Sequence, residues 1–256
     1  MRLNLNADLG ESWGVFRIGA DEEMLGLVQS ANLACGAHGG DPLVMARTIA
    51  AAQARGVSIG AHPGYADLHG FGRRAMELPD EELAALVVFQ LGALAGLARV
   101  AGAAVTHVKP HGAMNNRACT DPGMAAVIAR AVAAFDPGLI LLAPALSELA
   151  RAGQAAGLPV ALEIFADRAY EEDGQLARRG TPGAVLTDAG AMVAHVRAMI
   201  AAGGIVTRTG RVLPTRFHSI CLHGDGATAV TAARTLAAAL RADGHELVTL
   251  PETGPE

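Results

Sequence analysis

A chain of 256 residues with 51% hydrophobic and 18% charged side chains, and a mean hydropathy of +0.31, can bury one sizeable core and leaves little material for long disordered segments. Its net charge of −5 supplies no basic footprint for nucleic acid or an anionic membrane, so both are excluded as default partners. The three cysteines, Cys35, Cys119 and Cys221, are widely spaced with no CxxC pair. That argues for free, buried thiols rather than a disulfide framework or a structural zinc site.

Met1 leads straight into the alternating segment LNLNADLG without a basic and apolar signal region, and no uninterrupted apolar run reaches the roughly 18 residues of a spanning helix. The expectation is a soluble, cytoplasmic protein, a single domain over 1–256 with 251–256 a frayed tail. After LNLNADLG, the strand-like runs are VQSANLACG, VSIGAHPG, VTHVKPHG, LILLAPAL, PVALEIFADR, SICLHGD and ELVTL. Between them lie the Ala/Leu-rich helical stretches PLVMARTIAAAQARG, PDEELAALVVFQLGALAGLARVAG, DPGMAAVIARAVAAF, SELARAGQAAG, DAGAMVAHVRAMIAAGG and ATAVTAARTLAAALRADG. Several open on Asp or Ser and close on Gly, the ordinary signals of helix ends. Residues 204–217 read as a short hairpin excursion around TRTGRV. Strand alternating with helix predicts an α/β fold with a parallel sheet.

Polar residues collect directly after the strand-like runs. Asp8 and Glu11 follow the first, Cys35, His38 and Asp41 the second, His62, Pro63 and Tyr65 the third, and Lys109 with His111 the fourth. Glu163, Asp167 and Arg168 follow the sixth, and His223 with Asp225 the seventh. Parallel strands share a C-terminal face, so six clusters are expected to converge on one mouth. Lys109 stands out further. Nineteen of the twenty basic residues are Arg and one is Lys, so a compact ammonium is retained where a planar guanidinium would differ chemically.

The motifs NADLGESWG, SANLACGAHGGDP, GAHPGYADLHGFGRR, HVKPHGAMNN, EIFADRAYEEDGQLARR and ICLHGD, in this order, resemble those of the LamB/YcsF family over essentially the whole chain. The resemblance implies a single-domain (β/α) barrel, a seven-stranded relative of the TIM barrel of the glycoside hydrolase and deacetylase type. It also implies ATP-dependent ring opening of 5-oxo-L-proline (pyroglutamate) to L-glutamate, with ADP and phosphate as the other products, performed together with 5-oxoprolinase subunits B and C. ATP is then a co-substrate, with Mg2+, and nucleotide binding is expected of the assembly. One departure is visible: where the family pattern reads KPHGALYN, this chain has Met114 and Asn115, so a phenol is missing there.

Opening a lactam needs a positioned water, a base for its proton and donors for the oxygen that becomes negative. Asp8, His62, Lys109, His111 and His223 are the catalytic candidates. Any of Asp8, His62, His111 or His223 can serve as base, while Lys109 or Arg168 can neutralise a phosphate or the substrate carboxylate. Replacing Lys109 by Met is expected to preserve folding and abolish activity. Glu11, His38, Asp41, Glu163, Asp167, Arg168 and Asp225 are substrate-binding candidates. Asp225 can instead fix the tautomer of His223 or cap the following helix, and Glu163 can be part of a buried salt bridge. Arg73 and Arg74 can grip a phosphate or a partner protein. Asp8, His62 and His111, with His38 or His223, form a weak metal set lacking any local signature such as HExxH; no obligatory tightly bound metal is expected. No GxxxxGK[ST] loop occurs, so the isolated chain is expected to turn over little 5-oxoproline. The competing readings are a self-sufficient metal-dependent hydrolase of amides or N-acetyl sugars, and a non-enzymatic binding or regulatory component.

Overall fold

The computed structural model describes residues 1–223 and 228–255, with His223 described through its backbone alone. Strand β1 (Arg2–Leu9) sets the plan. Its odd residues Leu3, Leu5, Ala7 and Leu9 are at most 1% exposed and join the apolar cluster beneath the helices. Its even residues Asn4, Asn6 and Asp8 face the opposite way, as the two-residue period of a strand requires.

Strands β2 (Ser30–Ala34), β3 (Ser58–His62), β4 (Val105–Val108), β5 (Ile140–Pro144) and β6 (Val160–Phe165) follow in parallel order. The hairpin of β7 (Gly204–Val206) and β8 (Val212–Pro214) is antiparallel and forms a separate sheet, as the TRTGRV segment predicts. Strand β9 (Ser219–His223) then inserts between β6 and β1, pairing Asn4–Asp8 with Ser219–His223 and closing a seven-stranded parallel barrel. All eight strand-like runs of the sequence are strands. The eighth, β10 (Glu246–Leu247), pairs with the start of β1 outside the ring. Helices α1 (Asp21–Leu25), α2 (Pro42–Ala54), α3 (Asp80–Val100), α4 (Gly112–Ala118), α5 (Pro122–Phe135), α6 (Glu148–Ala155), α7 (Ala189–Ala202) and α8 (Ala229–Ala242) complete the chain. Of these, α1 and α4 were not legible in the sequence, being too short to show a helical period. By length and a hydropathy of 1.9, α3 would suffice to cross a membrane. Here it packs on α5 and α2, burying Leu83, Val87, Leu91, Leu94 and Ala98.

The barrel interior is polar. Asn4 donates to Ser30 Oγ and accepts from Ser219 Oγ at 2.8 and 2.6 Å, and Ser30 meets Ser58 at 2.6 Å. One layer up, Asn32 Nδ2 donates to Asn6 Oδ1 and Asp8 Oδ1 at 2.7 and 2.8 Å, and Asn32 Oδ1 lies 3.0 Å from His107 Nε2. Gly60 makes that ring possible, because a Cβ there would collide with it. Burial, together with the nearby Lys109 ammonium, lowers His107 to about 3, so it serves as a neutral hydrogen-bonding group.

Below the polar layers, Leu250 is fully buried with Ile140, Leu142 and Ala161. Its amide donates to Ser30 Oγ at 3.1 Å, and a 3-10 turn, Leu250–Thr253, carries a Thr249/Glu252 capping box. The start of the expected frayed tail, 251–253, is therefore held in this turn. A buried leucine and a satisfied cap both favour ordering of these residues.

Candidate active site

The C-terminal strand ends bring the chemistry together. Asp8 and His62 are at the C-terminal ends of β1 and β3, Glu11 follows β1, and Lys109 and His111 follow β4. All five line one cavity of about 590 Å3, together with Arg73, Asn115, Phe165, Arg168, Tyr170, Arg178 and Arg179.

On one side of Asp8 lies Lys109, 2% exposed. Its Nζ donates to Asp8 Oδ1 at 2.9 Å, Cys221 Sγ at 3.0 Å and Asn6 Oδ1 at 3.3 Å, and lies 3.4 Å from Glu163 Oε2. Burial by itself would depress this ammonium, but Asp8, Cys221 and Glu163 hold it well above the ordinary lysine range. Burial pushes the Glu163 carboxyl up, against the pull of Lys109. The lysine charge is thus already committed to protein groups.

On the other side stand the imidazoles. His62 Nε2 is 3.3 Å from Asp8 Oδ2 and 3.0 Å from His111 Nδ1. His62 Nδ1 is 2.6 Å from the Lys109 carbonyl oxygen, and His111 Nε2 is 2.8 Å from that of Phe71. Glu11 Oε1 lies 3.6 Å from His111 Nδ1 and 3.5 Å from His38 Nε2. His38 stacks flat on His111, centroids 3.6 Å apart. Burial, reinforced by neighbouring His62, lowers His111 to about 3. Burial and His111 likewise hold His38 well below the ordinary range. Gly64 and Gly72 make space for the pair: a Cβ on Gly64 would lie 2.6 Å from His38 Nδ1, and one on Gly72 2.8 Å from His111 Cδ2 and from His38 Cβ.

Several candidates fall elsewhere. His38 is fully buried behind His111 instead of lining the cavity. Asp41 lies outside it as the N-cap of α2, accepting from Leu43 and Val44 amides, with its other oxygen on the Gly14 amide. A capping geometry leaves that carboxylate turned toward the helix end. Glu163 is wholly buried beneath Lys109, the salt-bridge alternative. Asp167, 7% exposed, is also off the cavity lining, although its neighbour Arg168 is on it. Arg73 lines the cavity with its guanidinium over the Phe71 ring, whereas Arg74 pairs with Asp67 outside. His223 ends β9 in register with Asp8. Asp225 lies outside the described residues, and the N-cap position of α8 is Thr228. Asn115, where the family pattern carries tyrosine, is on the cavity wall. The sequence reading missed Asn6, Asn32, Phe165 and Tyr170. The first two share the parity of Asp8 along LNLNADL and SANLA, a usable signal; the aromatics carried none.

The closed parallel barrel and its single-ended cavity of carboxylates, imidazoles and guanidinium groups make this a seven-stranded relative of the (β/α) barrels, with polar chemistry at the face where such barrels carry active sites. More narrowly, the chain belongs to the LamB/YcsF family, which it matches over residues 3–254. It is 58% identical to the 5-oxoprolinase A subunit of Azoarcus sp. (strain BH72), covering 99% of both chains. It is 52% identical to the 5-oxoprolinase A subunit of Methylococcus capsulatus, over 97% of this chain and 95% of the other. The crystal structure of lactam utilization protein from Thermus thermophilus superposes with a TM-score of 0.92 at 43% identity, over 97% of this chain and all of that one.

Proposed function

We propose that this chain acts as the A component of an ATP-dependent 5-oxoprolinase and opens the lactam of 5-oxo-L-proline to L-glutamate together with subunits B and C. The observation that carries the reading is near-full-length identity of 58% to a protein of that name. The cavity chemistry is compatible with it. Arg168 is 5% exposed, donates to the Ala177 carbonyl at 2.6 Å and retains an Nε with no hydrogen-bond partner. With Arg178 and Arg179 on the same wall, it suits the carboxylate of the substrate.

An amide is a poor electrophile, and ATP remedies this by phosphorylating the lactam oxygen, with ADP leaving. Water then adds to the ring carbon, the C–N bond breaks with the proton delivered to nitrogen, and a second water hydrolyses the acyl phosphate to glutamate and phosphate. Asp8 lines the cavity, with its Oδ2 3.3 Å from His62 Nε2, and is the group assigned to take the water proton. Lys109 presents no free charge to a phosphate, since Asp8 and Glu163 engage it; its role is to hold Asp8 in place.

The test is reconstitution. Purified chain with subunits B and C, 5-oxoproline, ATP and Mg2+ is expected to release glutamate and ADP, whereas the chain alone releases neither. Glutamate formed by the chain alone without ATP would overturn the reading in favour of a self-sufficient amide hydrolase.

A further inference from the structure

The two imidazoles at the cavity floor face each other in a way neutral histidines do not tolerate. A carbonyl oxygen only accepts, so His62 Nδ1, 2.6 Å from the Lys109 carbonyl, carries that ring's proton. By the same reasoning His111 Nε2, 2.8 Å from the Phe71 carbonyl, carries the proton of its ring. The nitrogens left over, His62 Nε2 and His111 Nδ1, each hold a lone pair, and they stand 3.0 Å apart. No hydrogen bond joins two lone pairs. Carboxylate oxygens add negative charge on both sides, Asp8 Oδ2 at 3.3 Å from His62 Nε2 and Glu11 Oε1 at 3.6 Å from His111 Nδ1. A positive charge among these atoms removes the conflict.

We propose that Glu11, His62 and His111 hold a divalent transition-metal ion of the zinc, cobalt or manganese type, with the open coordination position toward the cavity. Tetrahedral sites with metal–nitrogen bonds of about 2.0–2.1 Å space their donor atoms about 3.3–3.4 Å apart, close to the separations here. The donor atoms of Glu11, His38, His62 and His111 all lie within 4.8 Å of one another. His38 is not taken as a ligand to the same ion: its ring is parallel to His111 at 3.6 Å, so one point cannot lie in both ring planes. It stacks behind His111 and fixes that ring's plane. The two backbone carbonyls act as outer partners that select the ligating tautomers, and Gly64 and Gly72 leave the space for the rings. All three ligands line the cavity, so the ion would be accessible to a water or a substrate oxygen. The proposal stands apart from the identity of the substrate, and it replaces the sequence expectation of no obligatory tightly bound metal.

The test uses the full chain, stripped with chelator and dialysed, then titrated with Co2+ or Zn2+ without substrate or partner proteins. One ion per chain is expected, with visible Co2+ d–d bands of a nitrogen/oxygen site. His62→Ala and His111→Ala are each expected to weaken binding more than about a hundredfold, beyond the loss of an outer partner, while His69→Ala leaves it unchanged. No saturable binding by the stripped wild type, or full binding by the His62→Ala/His111→Ala double variant, would overturn the site and leave a shared proton as the cation. Since both alanines open a buried space, the 15N imidazole spectrum of the wild type provides a second decision. Zn2+ is expected to shift His62 Nε2 and His111 Nδ1, with protons retained on the other nitrogens; an unchanged spectrum rejects the proposal. Lactam-opening activity enters none of these readouts, so failure of the metal site and failure of the functional reading are separately visible.

Discussion

Asp8 divides the cavity floor into two regions that are buried alike and satisfied differently. On the lysine side, one ammonium is surrounded by the acceptors of Asp8, Asn6, Cys221 and Glu163, although Glu163 Oε1 has no hydrogen-bond partner among the described residues. On the imidazole side, His62 Nε2 and His111 Nδ1, the nitrogens opposite those that meet backbone carbonyls, stand 3.0 Å apart beside two carboxylates. The lysine ammonium finds its counter-charges within the chain and so holds Asp8. The imidazole cluster is where the proposed ion would sit, among the donor atoms of Glu11, His62 and His111.

The sharpest way to break this comparison is to remove the lysine charge. Lys109→Met leaves Asp8 and Glu163 buried without their cation, and a loss of about 3–5 kcal/mol in unfolding free energy is expected from denaturant titration. The sequence reading expected this variant to fold undisturbed; burial of two carboxylates around Nζ is the reason for the opposite expectation. Adding Glu163→Gln should restore part of the loss. A Lys109→Met protein as stable as the wild type would show that the network is not structural.

Across the cavity, Arg168→Gln keeps much of the side-chain volume and removes the charge proposed to meet the substrate carboxylate. In the reconstituted enzyme it should raise KM for 5-oxoproline by roughly 10- to 150-fold, the loss of a charged hydrogen bond of about 1.5–3 kcal/mol, with kcat changed far less. An unchanged KM would remove Arg168 from substrate binding.

Acid probes the buried imidazoles without mutation. His38, His107 and His111 have folded-state values below the ordinary 6.5, two of them at about 3. Between roughly pH 6.5 and 3 the unfolded chain therefore binds more protons than the folded one, and stability falls as pH falls. Each such histidine contributes up to about 1.4 kcal/mol per pH unit in that window. Thermal melts from pH 8 to 4 should be flat above about pH 7 and drop below it, and His107→Gln, which keeps a polar group near Asn32, should flatten the drop. A melt insensitive to pH from 7 to 4 would mean that the rings are not held neutral.

The smallest effect is expected furthest from the comparison. Asp41→Ala removes the cap of α2 and should cost about 1 kcal/mol while leaving reconstituted glutamate release unchanged. A large loss of activity would return Asp41 to the site.

Local pattern determined much of this protein. The alternation of LNLNADL specified a strand with one apolar and one polar face, and apolar runs separated by Ala-rich stretches specified parallel strands with helical crossovers. Parallel order alone then gathers Asp8, His62, Lys109 and His111 at one end, because every strand points the same way. What tertiary structure decided is direction and partnership. Whether Asp41 turns to a helix end or a cavity depends on the amides of Gly14, Leu43 and Val44. Whether Lys109 meets ligand or protein depends on Glu163 and Cys221, brought across the barrel from strands far along the chain. The opposed lone pairs of His62 and His111 exist because two loop carbonyls, those of Lys109 and Phe71, take the other ring protons. Such tautomer choices are made by atoms 40 or more residues apart, a separation at which spacing in sequence carries no angular information.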